Sequence, residues 1–179
     1  MQGLKKLLDL SLAIQNYYKL IKIFSTMGLM SFFKGVGEKI FGKEEAAAAP
    51  EKVAELKAGA LLQHVKTLGL PYNKLIVKVA GHTVIIEGEV DKQEDAEKIA
   101  LAVGNVEGVE AVDNKMVVAE PAPEAQYHTV VEGDWLSKIS AKYYGDPMKY
   151  EIIFEANKPM LTHPDKIYPG QVLRIPPLS

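Results

Sequence analysis

The sequence predicts an α+β protein made of two small units, the first in the order α-β-β-α-β and the second in the order β-α-α-β. Helical periodicity alternates with runs of β-branched residues, and a proline-punctuated stretch separates the two units. Hydrophobic residues make up 47% of the 179-residue chain, which is enough to bury a core. We therefore divide the chain into a leader, an N-terminal segment with a linker, a first domain, a second linker and a second domain: 1–26, 27–49, 50–118, 119–126 and 127–179.

The leader is apolar, but we expect it neither to span a membrane nor to direct secretion. Asp9 interrupts its apolar run, Gln15 and Asn16 end it, and a spanning helix would need about 20 continuous apolar residues. The leader is also compatible with a helix that lies on a bilayer or on a partner. We favour a translated leader without function, because Met27 and Met30 offer later starts.

The first domain begins with an amphipathic helix and a hairpin. Apolar residues recur at helical spacing from Val53 to Leu68, and Gly69 stands where a left-handed helix cap is expected. Two β-branched runs follow, at 75–79 and 83–90. The short glycine-containing connection between them indicates an antiparallel hairpin.

A second helix and a third strand complete this domain. The apolar face of the helix runs from Ala96 to Val103, Asp91 is its expected N-cap, and the helix is predicted to end near Gly104. Residues 109–118 then form the third strand.

This order of elements resembles a BON domain. The resemblance also rests on the strand end Ile86–Val90 and on Gly104–Val109, which leads into Ala111–Asn114. BON domains are often linked to phospholipid surfaces or to maintenance of the outer membrane. This chain carries no cluster of basic residues to attract anionic lipid, so we rank that function low.

The second domain comes after the linker and begins with a strand, a Gly-Asp turn and a helix. Asp134 is the expected N-cap of this helix. A second helix follows Asp146–Pro147 and is stopped by Asn157–Pro159. A Pro-Gly turn and a short strand close the domain. The Gly133–Asp134 turn and the run Ile167–Gln171 together resemble a LysM domain over its whole length.

The LysM resemblance implies binding of N-acetylglucosamine polymers, which makes peptidoglycan a candidate partner. Its candidate glycan-binding residues are Asp134, Trp135 and Asn157. Trp135 stands where the LysM family commonly has threonine; it can stack on a sugar ring, or it can anchor packing inside the domain.

The order BON then LysM, ending in Ile167–Pro176, resembles a family of small cytoplasmic potassium-binding proteins of bacteria. The match begins at Met27–Leu29 and continues through Phe32–Phe33, Gly37–Lys39 and Phe154–Leu161. This resemblance implies a non-catalytic cytoplasmic protein that binds K⁺ as a sensor or buffer. It also implies that the two domains compact when the ion binds.

A selective potassium site needs several neutral carbonyl oxygens, since K⁺ is large and weakly hydrated, whereas clustered carboxylates favour Ca²⁺. Glycine frees main-chain carbonyls from regular pairing in Gly35–Gly37 and Gly104–Val109, although both stretches also fit ordinary turns. The resemblance implies a site for K⁺ at these same stretches, with Rb⁺ or Cs⁺ as alternative ions. The implied ligands are the main-chain carbonyls of Phe33, Val36, Glu38, Gly104, Val106 and Val109.

Composition and motifs exclude several other functions. Lys and Arg total 21 against 23 Asp and Glu, a net charge of -2, so no positive excess is available to bind a nucleic acid. The chain has no cysteine, its four histidines show no metal-ligand spacing, and Ser137 and Ser140 have no positioned base. We therefore expect neither an enzyme nor a nucleic-acid partner. Peptidoglycan binding at the cell envelope is the alternative function, and a protein partner is left open.

Overall fold

The computed structural model of the chain describes residues 29–33, 35–41 and 50–178. Its α+β architecture confirms the predicted fold class. The leader, and the helix considered for it, lie outside the described residues. Within the described ranges no helix has the length and apolar character needed to cross a membrane.

The elements follow the two predicted orders, with one additional strand at the start. The N-terminal segment and first domain contain β1 (Leu29–Ser31), α1 (Pro50–Thr67), β2 (Lys74–Ala80), β3 (Thr83–Lys92), α2 (Gln93–Gly104) and β4 (Ala111–Glu120). The second domain contains β5 (Gln126–Thr129), α3 (Leu136–Tyr144), a 3₁₀ turn (Pro147–Lys149), α4 (Tyr150–Ala156) and β6 (Val172–Ile175).

A four-stranded sheet in the order β1-β4-β3-β2 forms one layer of the first domain. The predicted hairpin is confirmed, because β2 and β3 pair antiparallel with Ala80 opposite Thr83. β3 and β4 are parallel, and α2 is the crossover between them. The sequence does not predict β1, which is three residues long and pairs antiparallel with Ala111–Asp113. This pairing holds the N-terminal segment beside β4.

Both helices of the first domain pack their apolar faces onto the sheet. Leu61 and Val65 of α1, Ile99 and Val103 of α2 and Ile86 of β3 are fully buried in one hydrophobic cluster. Burying one such side chain contributes about 1.5–3 kcal/mol relative to leaving it exposed. Burial confirms the face predicted for α2, whereas on the face predicted for α1 Leu61 and Val65 are buried and Leu56 is 50% exposed.

The second domain has its own core, and one of its residues belongs to the core of the first. β5 and β6 pair antiparallel, and α3 and α4 pack against them. Leu136, Ile153 and Leu173 are among the residues buried between these elements. Val172 of β6, by contrast, is only 4% exposed within the hydrophobic cluster of the first domain. The two domains are therefore docked in this structure.

The predicted N-cap of α2 is wrong. The helix starts directly after Lys92 without a side-chain cap, and the Asp91 carboxylate instead accepts a hydrogen bond of 2.7 Å from Asn73. The physical reason is that β3 continues through Lys92, which pairs with Glu120, and so keeps Asp91 within the strand. β4 correspondingly runs two residues into the stretch assigned to the linker.

The predicted N-cap of α3 is also wrong. Trp135 occupies the cap position and makes no side-chain cap hydrogen bond. The Asp134 carboxylate lies 2.7 Å from Nε2 of His128 and accepts a hydrogen bond of 3.0 Å from the main-chain N–H of Val131. Asp134 thus closes its own turn against β5 rather than satisfying the first N–H groups of the helix.

Candidate ion-binding site

The N-terminal segment lies against the loop that follows α2. The N–H of Phe32 donates to the carbonyl of Glu110 at 2.7 Å, and the N–H of Glu38 donates to the carbonyl of Asn105 at 2.8 Å. The carbonyl of Glu38 accepts in turn from the N–H of Glu107 at 3.0 Å. These two bonds make a parallel β-bridge between Glu38 and Val106. The two glycine-containing stretches singled out in the sequence are therefore adjacent.

Two glycines allow this close approach. Gly37 adopts a φ of +132°, and a β-carbon there would overlap the carbonyl oxygen of Asn105 and lie 2.8 Å from its carbonyl carbon. A β-carbon at Gly104 would overlap the ring of Phe32. A side chain at Gly37 would push the N-terminal segment away from the loop, and one at Gly104 would displace the ring of Phe32.

Three of the six candidate carbonyls belong to the N-terminal segment and three to Gly104–Val109, and Phe33 and Glu38 flank the stretch Gly35–Gly37. The carbonyl of Phe33 accepts from the N–H of Val36 at 3.2 Å, and that of Val106 accepts from the N–H of Val109 at 3.1 Å. Because a carbonyl oxygen has two lone pairs, these hydrogen bonds leave each one able to contact an ion as well. Phe33 is 60% exposed, whereas Gly104, like Val106 and Val109, is buried.

Two carboxylates lie beside this region, and each has a basic side chain next to it. The Glu38 carboxylate lies 3.6 Å from His64, and Lys39 lies 3.6 Å from Glu107. Among the residues that the structure describes, no three His, Asp or Glu side chains converge to hold a metal ion. A cation held here would therefore depend on main-chain oxygens, with the carboxylates adding a favourable field.

The second domain closes over the same region. A cleft of about 270 Å³ is lined by Glu38 and His64 on one side and by Lys166 and Tyr168 on the other. Burial, together with the nearby carboxylate of Glu38, raises the pKa of the Tyr168 hydroxyl. The LysM-like half of the chain thus borders the candidate ion site.

A buried ion pair joins the domains away from the cleft. Nε of Arg174 in β6 lies 2.6 Å from the carboxylate of Glu97 in α2, and both side chains are at most 8% exposed. The other carboxylate oxygen of Glu97 accepts hydrogen bonds from Gln93 and from the main-chain N–H of Ala125. Sequence reasoning missed this pair, since its partners lie 77 residues apart and the run Ile167–Pro176, which contains Arg174, gives no sign of an acidic partner.

The three candidate glycan-binding residues differ in how available they are. Trp135 is 57% exposed. Asn157 is buried, and its amide is fully engaged with the main chains of Ile153 and Arg174. Asp134 makes the turn contacts described above. Of the three, Trp135 has the side chain that can meet a ligand without rearrangement of the domain.

Comparison with known proteins supports the resemblance of the first half of the chain to a BON domain and of the second half to a LysM domain. A family model of the BON domain matches residues 58–120, and one of the LysM domain matches residues 128–176. The potassium binding protein Kbp of Escherichia coli is 43% identical over 151 residues, which cover 84% of this chain and 99% of that protein. An uncharacterized protein of Deinococcus radiodurans is 38% identical over 133 residues, which cover 66% of this chain and 51% of that protein.

Proposed function

This chain belongs to the family of the potassium binding protein Kbp, and from that premise we propose that it binds K⁺ without catalysis, as a cytoplasmic sensor or buffer. The observation that carries the proposal is the parallel bridge between Glu38 and Val106. It brings together two glycine-containing stretches, each of which can turn main-chain carbonyls toward an ion. Carbonyl oxygens of this kind suit K⁺ better than Ca²⁺.

The proposed ligands are main-chain carbonyls contributed by both stretches. They are those of Phe33, Val36, Glu38, Gly104, Val106 and Val109, and we propose the same site for Rb⁺ and Cs⁺. Three observations support this set of ligands. The two stretches are adjacent, Gly37 and Gly104 leave room for their close approach, and the carboxylates of Glu38 and Glu107 lie beside them. With domains at 50–118 and 127–179, the N-terminal segment 27–49 and the first domain would hold all six ligands, and the LysM domain would respond by docking.

The test is a thermal melt of the full chain in chlorides of K⁺, Rb⁺, Cs⁺, Na⁺ and Ca²⁺ at equal ionic strength. Binding to the folded state stabilises it by about 2.7 kcal/mol at a hundredfold excess over Kd. For a protein of this size that corresponds to a rise in Tm of roughly 5–10 °C. We expect the rise in K⁺ and its larger congeners, and equal Tm values in K⁺ and Na⁺ would contradict the proposal.

Peptidoglycan binding is the second candidate, and the exposed indole of Trp135 is the observation that favours it. The test is retention of the chain on insoluble peptidoglycan, compared with that of Trp135→Ala. Retention that depends on Trp135 in a chain without a K⁺ response would favour this function over ion binding.

A further inference from the structure

We infer that Asn105 couples K⁺ binding to the docking of the LysM domain. The inference rests on the proposed function, since Asn105 lies between Gly104 and Val106, two of the proposed ligands. Its main-chain carbonyl accepts from the N–H of Glu38, and its main-chain N–H donates to the carbonyl of Leu101 at 2.9 Å. One residue therefore ends α2 and holds the N-terminal segment in place.

The side chain of Asn105 makes the connection to the second domain. Its Oδ1 accepts from the N–H of Val172 at 2.9 Å, and its Nδ2 donates to the carbonyl of Val172 at 2.9 Å. The amide thus pairs with β6 in the way a neighbouring strand would. If β6 moved away, these partly buried groups would lose their partners and Val172 would leave the core of the first domain.

A second contact ties the other half of the proposed site to the same turn of the LysM domain. A β-carbon at Gly170 would lie 3.1 Å from both methyl carbons of Val36, so the Val36 side chain rests on that glycine. Tyr168, two residues earlier, lines the same cleft as Glu38. Both ligand-bearing stretches therefore touch the segment that precedes and begins β6.

These contacts link two equilibria. Displacing the LysM domain removes the side-chain restraint on Asn105 and so loosens the carbonyls on either side of it. An ion that needs those carbonyls in one arrangement will favour the docked domain by its difference in affinity for the two arrangements. Docking must then raise the affinity for K⁺ by the same factor.

The experiment compares the full chain with Asn105→Ala and with the matched control Asn73→Ala. Asn73 is an exposed residue of the first domain whose side chain bonds Asp91 rather than the second domain. Because the chain has no cysteine, Glu89→Cys and Glu132→Cys introduce one spin label into each domain at exposed positions. Calorimetry gives the Kd for K⁺, and electron spin resonance gives the distance between the labels in saturating K⁺ and in Na⁺.

We expect Asn105→Ala to raise the Kd for K⁺ about tenfold, as two lost hydrogen bonds would. At saturating K⁺, where ion occupancy is equal, the unsubstituted chain and Asn73→Ala should show one short distance. In Na⁺ we expect a broader distribution of distances between the labels, and Asn105→Ala should keep that broader distribution at saturating K⁺. A purely structural role would lower stability in both salts and leave the closure at saturation intact.

Closure of Asn105→Ala at saturating K⁺ like that of the unsubstituted chain would overturn the inference while leaving K⁺ binding standing. Absence of K⁺ binding by the unsubstituted chain would instead refute the proposed function. If Asn105→Ala does not fold, Asn105→Asp replaces it, since a carboxylate keeps the acceptor for Val172 but loses the donor. Full closure of that variant at saturating K⁺ would equally overturn the inference.

Discussion

Replacing Gly37 with alanine tests whether the N-terminal segment must lie on the loop after α2. Gly37 has a φ of +132°, a conformation that costs a residue with a β-carbon about 1–3 kcal/mol. The added methyl group would also overlap the carbonyl of Asn105, which is main chain and cannot rotate away. The segment is therefore expected to lift off the loop.

The cost of lifting off follows from the contacts that hold the segment there. The bridge between Glu38 and the loop consists of two main-chain hydrogen bonds, worth about 1–3 kcal/mol together. If K⁺ binding requires this arrangement, the ion must supply the strain of closing the segment onto the overlap, to which the φ of residue 37 alone contributes about 1–3 kcal/mol. Affinity for K⁺ should then fall roughly 5- to 150-fold.

The assay replaces NaCl with KCl at constant ionic strength. Calorimetry measures the affinity for K⁺, and thermal melts measure the change in Tm. The matched control is Gly35→Ala in the same segment, because a β-carbon at Gly35 would meet no atom of the described residues within 4 Å and its φ lies outside the left-handed region. We expect the control to keep its K⁺ response and Gly37→Ala to lose most of it. Equal K⁺ affinity in the two variants would refute the requirement for a close approach.

Three further predictions concern the domain interface, the LysM turn and the leader. Arg174→Met should lower the free energy of unfolding in urea by about 3–5 kcal/mol, because Glu97 would stay buried without its cation. Adding Glu97→Met should restore only part of that loss, because Gln93 and the N–H of Ala125 would lose their acceptor. An unchanged urea midpoint in the single variant would contradict the role of the pair. Burial acts to raise the pKa of Asp134, but hydrogen bonds from Val131 and His128 hold that pKa below its usual 3.8. The Asp134 carboxyl therefore binds fewer protons in the folded state than in the unfolded chain. Stability should therefore fall as the pH drops below about 4, and Asp134→Asn should show a shallower fall in acid melts; identical slopes would disprove this contribution. Deleting residues 1–26 should leave the K⁺-dependent rise in Tm unchanged, since every proposed ligand lies later in the chain; loss of that rise would assign the leader a role in binding.

Local signals in the sequence predicted most of the secondary structure. α1 ends two residues before the expected Gly69, which has a φ of +68° and whose N–H donates to the carbonyl of Lys66. The hairpin and the helix faces also depend on residues close together in the chain, so periodicity and turn chemistry are enough to place them. The same holds for α4, which ends at Ala156 before Asn157.

Features that depend on distant residues were not predicted. β1 is too short to show a period and exists because β4 pairs with it. Both aspartates expected to cap helices found other partners through tertiary contacts. The side-chain bonds of Asn105 join residues 67 positions apart, and no local pattern marks them.

The candidate site was predictable only in part. Glycine spacing singled out both stretches, but ordinary turns have the same composition, and the choice between the two came from resemblance to a family. Their adjacency depends on how Phe32 packs over Gly104 and how Gly37 meets the loop. These contacts follow from the fold and not from either stretch alone.

We propose that main-chain carbonyls of the N-terminal segment and the first domain hold the ion. The most direct measurement is the carbonyl carbon-13 spectrum of the full chain as K⁺ replaces Na⁺ at constant ionic strength. We expect saturable, K⁺-specific shifts that are largest at Phe33, Val36, Glu38, Gly104, Val106 and Val109. Shifts confined to residues after Gln126, or the same spectrum in both salts, would contradict the proposal.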